Sequence, residues 1–192
     1  MCGIIGIVSQ KNVTDNLVEG LSRLEYRGYD SAGIATLVEG QIERRRAEGK
    51  LKNLSDRLYK EPLEGTIGIG HTRWATHGGP TENNAHPHAT DKVAVVHNGI
   101  IENYQELKEE LSKYQVRFVT ETDTEVIAHL VTVFLNEGMS PREAANKAFD
   151  KLEGAFALVL IFTGEDNLMI GMRQGTPLAV GHGKKEMLLA SD

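Results

Sequence analysis

The chain has 192 residues, 40% of them hydrophobic, with 21 basic against 27 acidic side chains and a net charge of −6. That length can bury one domain core, while the acidic balance, with no basic cluster larger than Arg44-Arg45-Arg46, makes nucleic acid and anionic membrane poor partners. The longest apolar run, residues 155–162, is too short to span a bilayer, and the single cysteine excludes an internal disulfide and fits a reducing, cytoplasmic location.

Residues 3–8 are apolar and β-branched and read as a buried strand bounded by Ser9 and Gln10. No basic region precedes that stretch, so a signal peptide is not expected. Val13, Leu17, Leu21 and Leu24 recur at helical spacing and predict an amphipathic helix. The glycine-bracketed segment Arg27 to Gly33 reads as a loop. Ile34 to Leu37 and Gln41 to Arg46 flank Glu39-Gly40 as a hairpin, and Leu51 to Tyr59 suggests a short helix. Thr66 to His71 and Lys92 to His97 read as strands separated by a long polar loop.

The second half carries more helix. Glu102 to Tyr114 alternates charge with Leu107 and Leu111. Thr122-Asp123-Thr124-Glu125 has capping-box spacing before the stripe Val126, Ile127, Leu130, Val131 and Phe134. Ser140-Pro141-Arg142-Glu143 repeats the start signal, with proline at the first helical position. Strands follow at 155–162 and 168–172, with a last one at 187–190 ending close to the chain end, as in a piece of a longer protein. Strands, adjacent helices and more strands predict an α+β layered sandwich, without fixing which sheet covers which helix.

Cys2 directly follows Met1 and opens the run Cys2-Gly3-Ile4-Ile5-Gly6-Ile7. With Met1 removed, a thiol and a free α-amine share one residue. An α-amine titrates at about 7.7–8.0, so a neutral fraction can take the thiol proton. The competing reading is a small buried hydrophobe.

Five of the seven histidines fall between His71 and His97, yet their spacing matches no zinc pattern, and no metal or cofactor is expected. Histidines in a polar loop more often bond backbone groups or water. Arg73, after a strand and beside Trp74, can grip a carboxylate with two parallel hydrogen bonds, or simply pair with an acidic neighbour. Asp123, in the first turn of a predicted helix, can hold an ammonium group or compensate the helix dipole. Together the two could recognise both ends of an α-amino acid. Asn98-Gly99 is either a tight hairpin turn or a pair of oxyanion donors, and spacing leaves the two readings open.

The ordered segments Met1 to Ile7, Glu25 to Gly33, His71 to Gly78, Asn84 to His88, His97 to Asn103 and Glu121 to Glu125 resemble the glutaminase domain of the glutamine–fructose-6-phosphate aminotransferase family, which belongs to the class II amidotransferases. The resemblance runs over essentially the whole chain, 1–192. It implies a four-layer αββα sandwich of the N-terminal-nucleophile (Ntn) hydrolase type. By motif, it makes Cys2 the nucleophile with its own α-amine as base, and Asn98 and Gly99 the oxyanion hole. Arg73 becomes the site for the substrate α-carboxylate, helped by Thr76 and His77, and Asp123 the site for the α-ammonium. Trp74 falls at a gate toward a synthase site, with His86 and residues 27–31 in support. The implied substrate is L-glutamine, hydrolysed to glutamate and ammonia. The implied partners are C-terminal sugar-isomerase domains, absent from this sequence, which use the ammonia to convert fructose 6-phosphate to glucosamine 6-phosphate in an enzyme that is a homo-oligomer. A glutamine-binding module without chemistry, and a histidine-rich metal module, are the competing functions.

Overall fold

The computed structural model describes residues 2–192. Two antiparallel sheets form the centre of the molecule. The first, in the order β3-β2-β4-β1-β10-β9, comprises β1 (Gly3–Ser9), β2 (Ser31–Val38), β3 (Gln41–Glu48), β4 (Ile67–Arg73), β9 (Ala179–Gly183) and β10 (Glu186–Ala190). The second, in the order β5-β6-β7-β8, comprises β5 (His88–Ala89), β6 (Val93–Ile101), β7 (Gly154–Phe162) and β8 (Met169–Gln174). Helices α1 (Thr14–Leu24) and α2 (Leu51–Lys60) cover the first sheet, and α3 (Tyr104–Leu111), α4 (Glu125–Asn136) and α5 (Pro141–Phe149) cover the second.

Three apolar slabs result, and strand alternation explains them. Successive side chains of a strand face opposite ways, so Ile5 and Ile7 of β1 face Leu17 and Leu21 of α1, while Ile4 faces the other sheet. In β7, Phe156, Leu158, Leu160 and Phe162 meet the helices, whereas Ala157, Val159 and Ile161 fill the space between the sheets. Both faces of β7 are buried, which is why its sequence is a continuous apolar run instead of an alternating one. Each such side chain contributes roughly 1.5–3 kcal/mol on burial. The outcome is the expected αββα arrangement. Among the described residues, no helix is long and apolar enough to cross a membrane.

Four local expectations change. Residues 31–33 are strand, not loop: Ser31 and Gly33 pair with Arg73 and His71 of β4. Gly33 is there for close packing, since a Cβ would lie 2.2 Å from the His86 carbonyl oxygen. Thr122 does not cap α4. The N-cap is Thr124, whose side chain makes no capping bond, and the Glu125 carboxylate accepts from the backbone N–H groups of Val119 and Thr120, both at 2.8 Å. Ser140 and Glu143 do form the reciprocal capping box on α5. The strand expected at 92–97 continues to Ile101, so Asn98 and Gly99 lie within β6 opposite Ala157 and Phe156, and are not a turn. Finally, β9 went unrecognised, because Ala179-Val180-Gly181-His182-Gly183 has too little apolar side chain to show a strand period.

Candidate active site

Pairing brings the site residues together at one end of the sheets. Gly3 of β1 lies opposite Thr72 of β4, which places Cys2 beside Arg73 and Trp74. The Cys2 Sγ accepts from the Trp74 backbone N–H at 3.2 Å and lies 3.4 Å from the Trp74 carbonyl oxygen. The Cys2 carbonyl oxygen accepts from Asn98 Nδ2 at 2.9 Å and from Arg27 Nε at 3.1 Å. Nucleophile candidate and amide donor are therefore joined directly across the gap between the sheets.

Seven of the eight expected residues, Cys2, Arg73, Trp74, Thr76, His77, Gly99 and Asp123, line one pocket. Asn98 is buried next to them and touches Cys2. Gly99 is at φ +109°, and a Cβ there would lie 2.0 Å from the Ala155 carbonyl oxygen, so no side chain fits and its backbone stays open to the pocket. Asp123 precedes α4 and is held to β6 by accepting from the Ile101 N–H at 2.8 Å; its other oxygen is 4.0 Å from His97 Nδ1. The Arg73 guanidinium donates to the carbonyls of His77, Gly78 and Gly79 in the loop that follows β4. Trp74 is half exposed and meets the Tyr29 ring edge-on, and His77 meets Tyr104 in the same way. That loop is fastened from outside by Glu121, which accepts from Gly79 N–H and from Asn84 Nδ2.

Behind the pocket stands a wall of histidines that sequence reasoning placed at two strand ends, His71 and His97, and in the polar loop between them, His86 and His88. His71, His86, His88 and His97 are all buried, between 0 and 5% exposed. His71 and His86 stack with ring centroids 4.1 Å apart, and His86 Nε2 and His97 Nδ1 both lie 2.8 Å from the Thr124 hydroxyl. The rings pack on one another and bond to threonines and backbone oxygens; among the described residues no group of three or more His, Cys, Asp or Glu side chains is placed to hold a metal ion. His97, Thr122 and Thr124 also line the pocket and were not anticipated. The clustering of histidines was the visible signal, and it marked a buried network.

Burial sets the electrostatics. It pushes the Cys2 thiol above its ordinary value, against the lowering effects of the Trp74 N–H bond and the Arg73 charge. Burial pulls His71 down to about 3, and His86 and His88 well below their ordinary value. Burial also lowers Arg73, opposed by Cys2, Asp30, Asp123 and Glu121. The wall is thus neutral, and among the described side chains Arg73 is one that lends positive charge to the sulfur.

Residues 71–192 match the family model described as a glutamine amidotransferase domain. The chain is 64% identical over its full length to the glutamine–fructose-6-phosphate aminotransferase (isomerizing) of Bradyrhizobium diazoefficiens, and 61% identical to that of Mesorhizobium japonicum. It spans 32% of the length of each of these relatives. Among solved structures, glutamine phosphoribosylpyrophosphate amidotransferase from B. subtilis superposes with a TM-score of 0.86 at 26% identity, over 99% of this chain and 42% of that one. A glutamine aminotransferase class-II domain protein from Silicibacter pomeroyi shares the fold, with a TM-score of 0.64 at 13% identity, over 98% of this chain and 88% of that one. With a family match over more than half its length, an Ntn-type αββα sandwich and Cys2 in the pocket, the chain belongs to the glutamine amidotransferase domain family.

Proposed function

We propose that the chain is a glutaminase that hydrolyses L-glutamine to glutamate and ammonia, with Cys2 as nucleophile once Met1 is removed. Met1 lies outside the described residues. The observation that carries this reading is the junction at Cys2: its sulfur lies in the pocket against the Trp74 N–H, while Asn98 is bonded to its own carbonyl. A role in binding alone gives that junction no purpose.

A buried thiol with a raised pKa holds little thiolate at neutral pH, so attack requires a base at hand. The neutral α-amine of Cys2 takes the thiol proton and the thiolate attacks the side-chain amide carbon of glutamine. The oxyanion that forms is met by the Asn98 N–H not used on Cys2 and by the Gly99 N–H; one such donor is worth roughly 3–4 kcal/mol in the transition state. The α-ammonium returns its proton to the departing nitrogen, ammonia leaves, and water attacks the γ-glutamyl thioester to release glutamate and the thiol. Arg73 receives the substrate α-carboxylate with Thr76 and His77, exchanging a neutral carbonyl acceptor for a charged one, which gives the stronger bond. Asp123 receives the α-ammonium, and Trp74 lies at the pocket's edge.

The chain is read as a glutaminase domain, 1–192, of a longer cytoplasmic, homo-oligomeric enzyme whose C-terminal sugar-isomerase domains would use the ammonia to make glucosamine 6-phosphate from fructose 6-phosphate. The names of the relatives support the reaction, and the 32% share of their length supports the longer enzyme. Replacing Cys2 with Ala should abolish ammonia release from glutamine while leaving the fold intact, and an active Cys2→Ala protein refutes the mechanism.

A further inference from the structure

Strand alternation puts His71 of β4 on the same inner face as Ile67 and Ile69, and Asn98 of β6 on the same inner face as Ala94 and Val96. The two side chains meet between the sheets, with His71 Nε2 3.1 Å from Asn98 Oδ1 and 2.9 Å from the His97 carbonyl oxygen. An amide has two ends of similar shape, so something must decide which end faces Cys2. The Cys2 carbonyl is an obligate acceptor, which places Asn98 Nδ2 toward it and Oδ1 toward His71. Both oxygens facing His71 Nε2 are acceptors, so that nitrogen carries the proton. His71 Nδ1 is buried without a hydrogen-bond partner among the described residues, as suits the nitrogen that carries no proton, because an orphaned N–H is the worse group to bury. Stacking on His86 holds the ring plane.

Resting on the glutaminase reading above, we propose that His71 is a positioning residue: its Nε2–H holds the Asn98 oxygen, fixing the amide with its N–H groups toward Cys2 and the developing oxyanion. Without it only the bond from Nδ2 to the Cys2 carbonyl orients the amide, and each turn of the side chain presents an oxygen, which repels the oxyanion. The pairing requires a proton on Nε2: burial keeps His71 neutral throughout the neutral pH range, and the two oxygens that face Nε2 keep its single proton there.

The test compares glutamine hydrolysis by the wild-type chain, His71→Leu, His71→Gln, and His71→Leu combined with Asn98→Ala. Leucine removes the donor, and glutamine replaces it with an amide N–H of similar reach. His71→Leu should lower kcat roughly 10- to 100-fold, a part of what deletion of an oxyanion donor costs. KM for glutamine should stay within about twofold and the rate of Cys2 alkylation by iodoacetamide, which forms no oxyanion, should not change. His71→Gln should recover most of the activity, and His71→Leu should cost nothing more once Asn98 is alanine. Unchanged kcat in His71→Leu, a glutamine variant as slow as the leucine one, an altered alkylation rate, or a full additional loss in the Asn98→Ala background each overturns the proposal. An inactive wild-type chain refutes the glutaminase reading instead. Nitrogen NMR of the wild-type imidazole then still decides, needing no variant to fold: a ring with its proton on Nε2 supports the assignment, and a neutral Nδ1–H ring overturns it.

Discussion

Lowering the pH from about 7.5 to about 5.5 should destabilise this fold by roughly 4 kcal/mol through three histidines. His71, His86 and His88 are buried to 5% exposure or less, and burial holds their folded-state pKa values well below the ordinary one, His71 at about 3. Arg73 lies close to all three rings and Arg44 and Arg46 lie close to His88, and these charges push in the same direction. In the unfolded chain each ring titrates near 6.5. The sign follows directly: below that value the unfolded state binds protons that the folded state refuses, so stability is present at neutral pH and lost as pH falls. Each ring loses about 1.4 kcal/mol over that interval, which gives the total for three. Urea unfolding followed by Trp74 fluorescence should show the midpoint falling by roughly 1.5–2 M, taking a slope of about 2–3 kcal/mol/M for this size. Replacing His71 with Gln should remove about a third of that pH dependence. A loss below about 1 kcal/mol would mean that the histidines accept protons inside the fold, and the neutral wall would not exist.

Three substitutions probe other parts of the structure. Gly99→Ala should lower stability by roughly 3 kcal/mol or more and activity at least 100-fold, because φ +109° is strained for alanine and its Cβ would meet the Ala155 oxygen at 2.0 Å; denaturation and a glutaminase assay read both effects. Glu125→Gln should cost roughly 2–3 kcal/mol in a chemical melt, since the carboxylate accepts from Val119 and Thr120 N–H and from the Thr120 hydroxyl, and an amide NH2 cannot accept from all of them. Although burial opposes it, these bonds and His129 hold Glu125 down to about 2, so its contribution is present above about 4.5 and fades as pH falls toward 2. Ser140→Ala removes one half of the α5 capping box and should cost about 1 kcal/mol with no change in glutaminase activity.

The layered fold was readable where one physical signal dominated. The apolar period of Leu17, Leu21 and Leu24 and the Ser140-to-Glu143 box both translate directly into structure, because each is a local device that needs no distant partner. Thr122-to-Glu125 has the same spacing as that box and fails, because Glu125 is drawn to the backbone of residues 119 and 120 and Thr122 to Thr120 and His88. Spacing states what a segment can do alone, and here tertiary partners outcompeted it. Gly33 misled for a related reason. A glycine is a turn signal when φ is positive, but here it makes room for the His86 carbonyl of a segment some fifty residues away, a demand that strand pairing alone reveals. The site residues were readable as motif members, and seven of them do line one pocket. The part His71 plays could not be read the same way, because it depends on β4 and β6 facing each other across the sheets, and nothing in their separation along the chain says that they do.

The use of neutral histidines beside a developing negative charge calls for a physical account, since an imidazolium would attract an oxyanion more strongly. Among the described residues a charged ring has no carboxylate bonded to it: His71 faces two carbonyl-type oxygens and the His86 ring, and its second nitrogen has no hydrogen-bond partner. Ionising it would cost several kcal/mol of desolvation, without a partner to offset it. A neutral N–H dipole costs far less to bury, and it transmits orientation to Asn98 without adding a charge that would bind the α-carboxylate in the wrong place. On the proposed reading Arg73, whose charge acts on the sulfur, defines where that carboxylate goes. On the proposed reading charge is reserved for binding the substrate and oriented dipoles for the transition state, and the three apolar slabs hold those dipoles still.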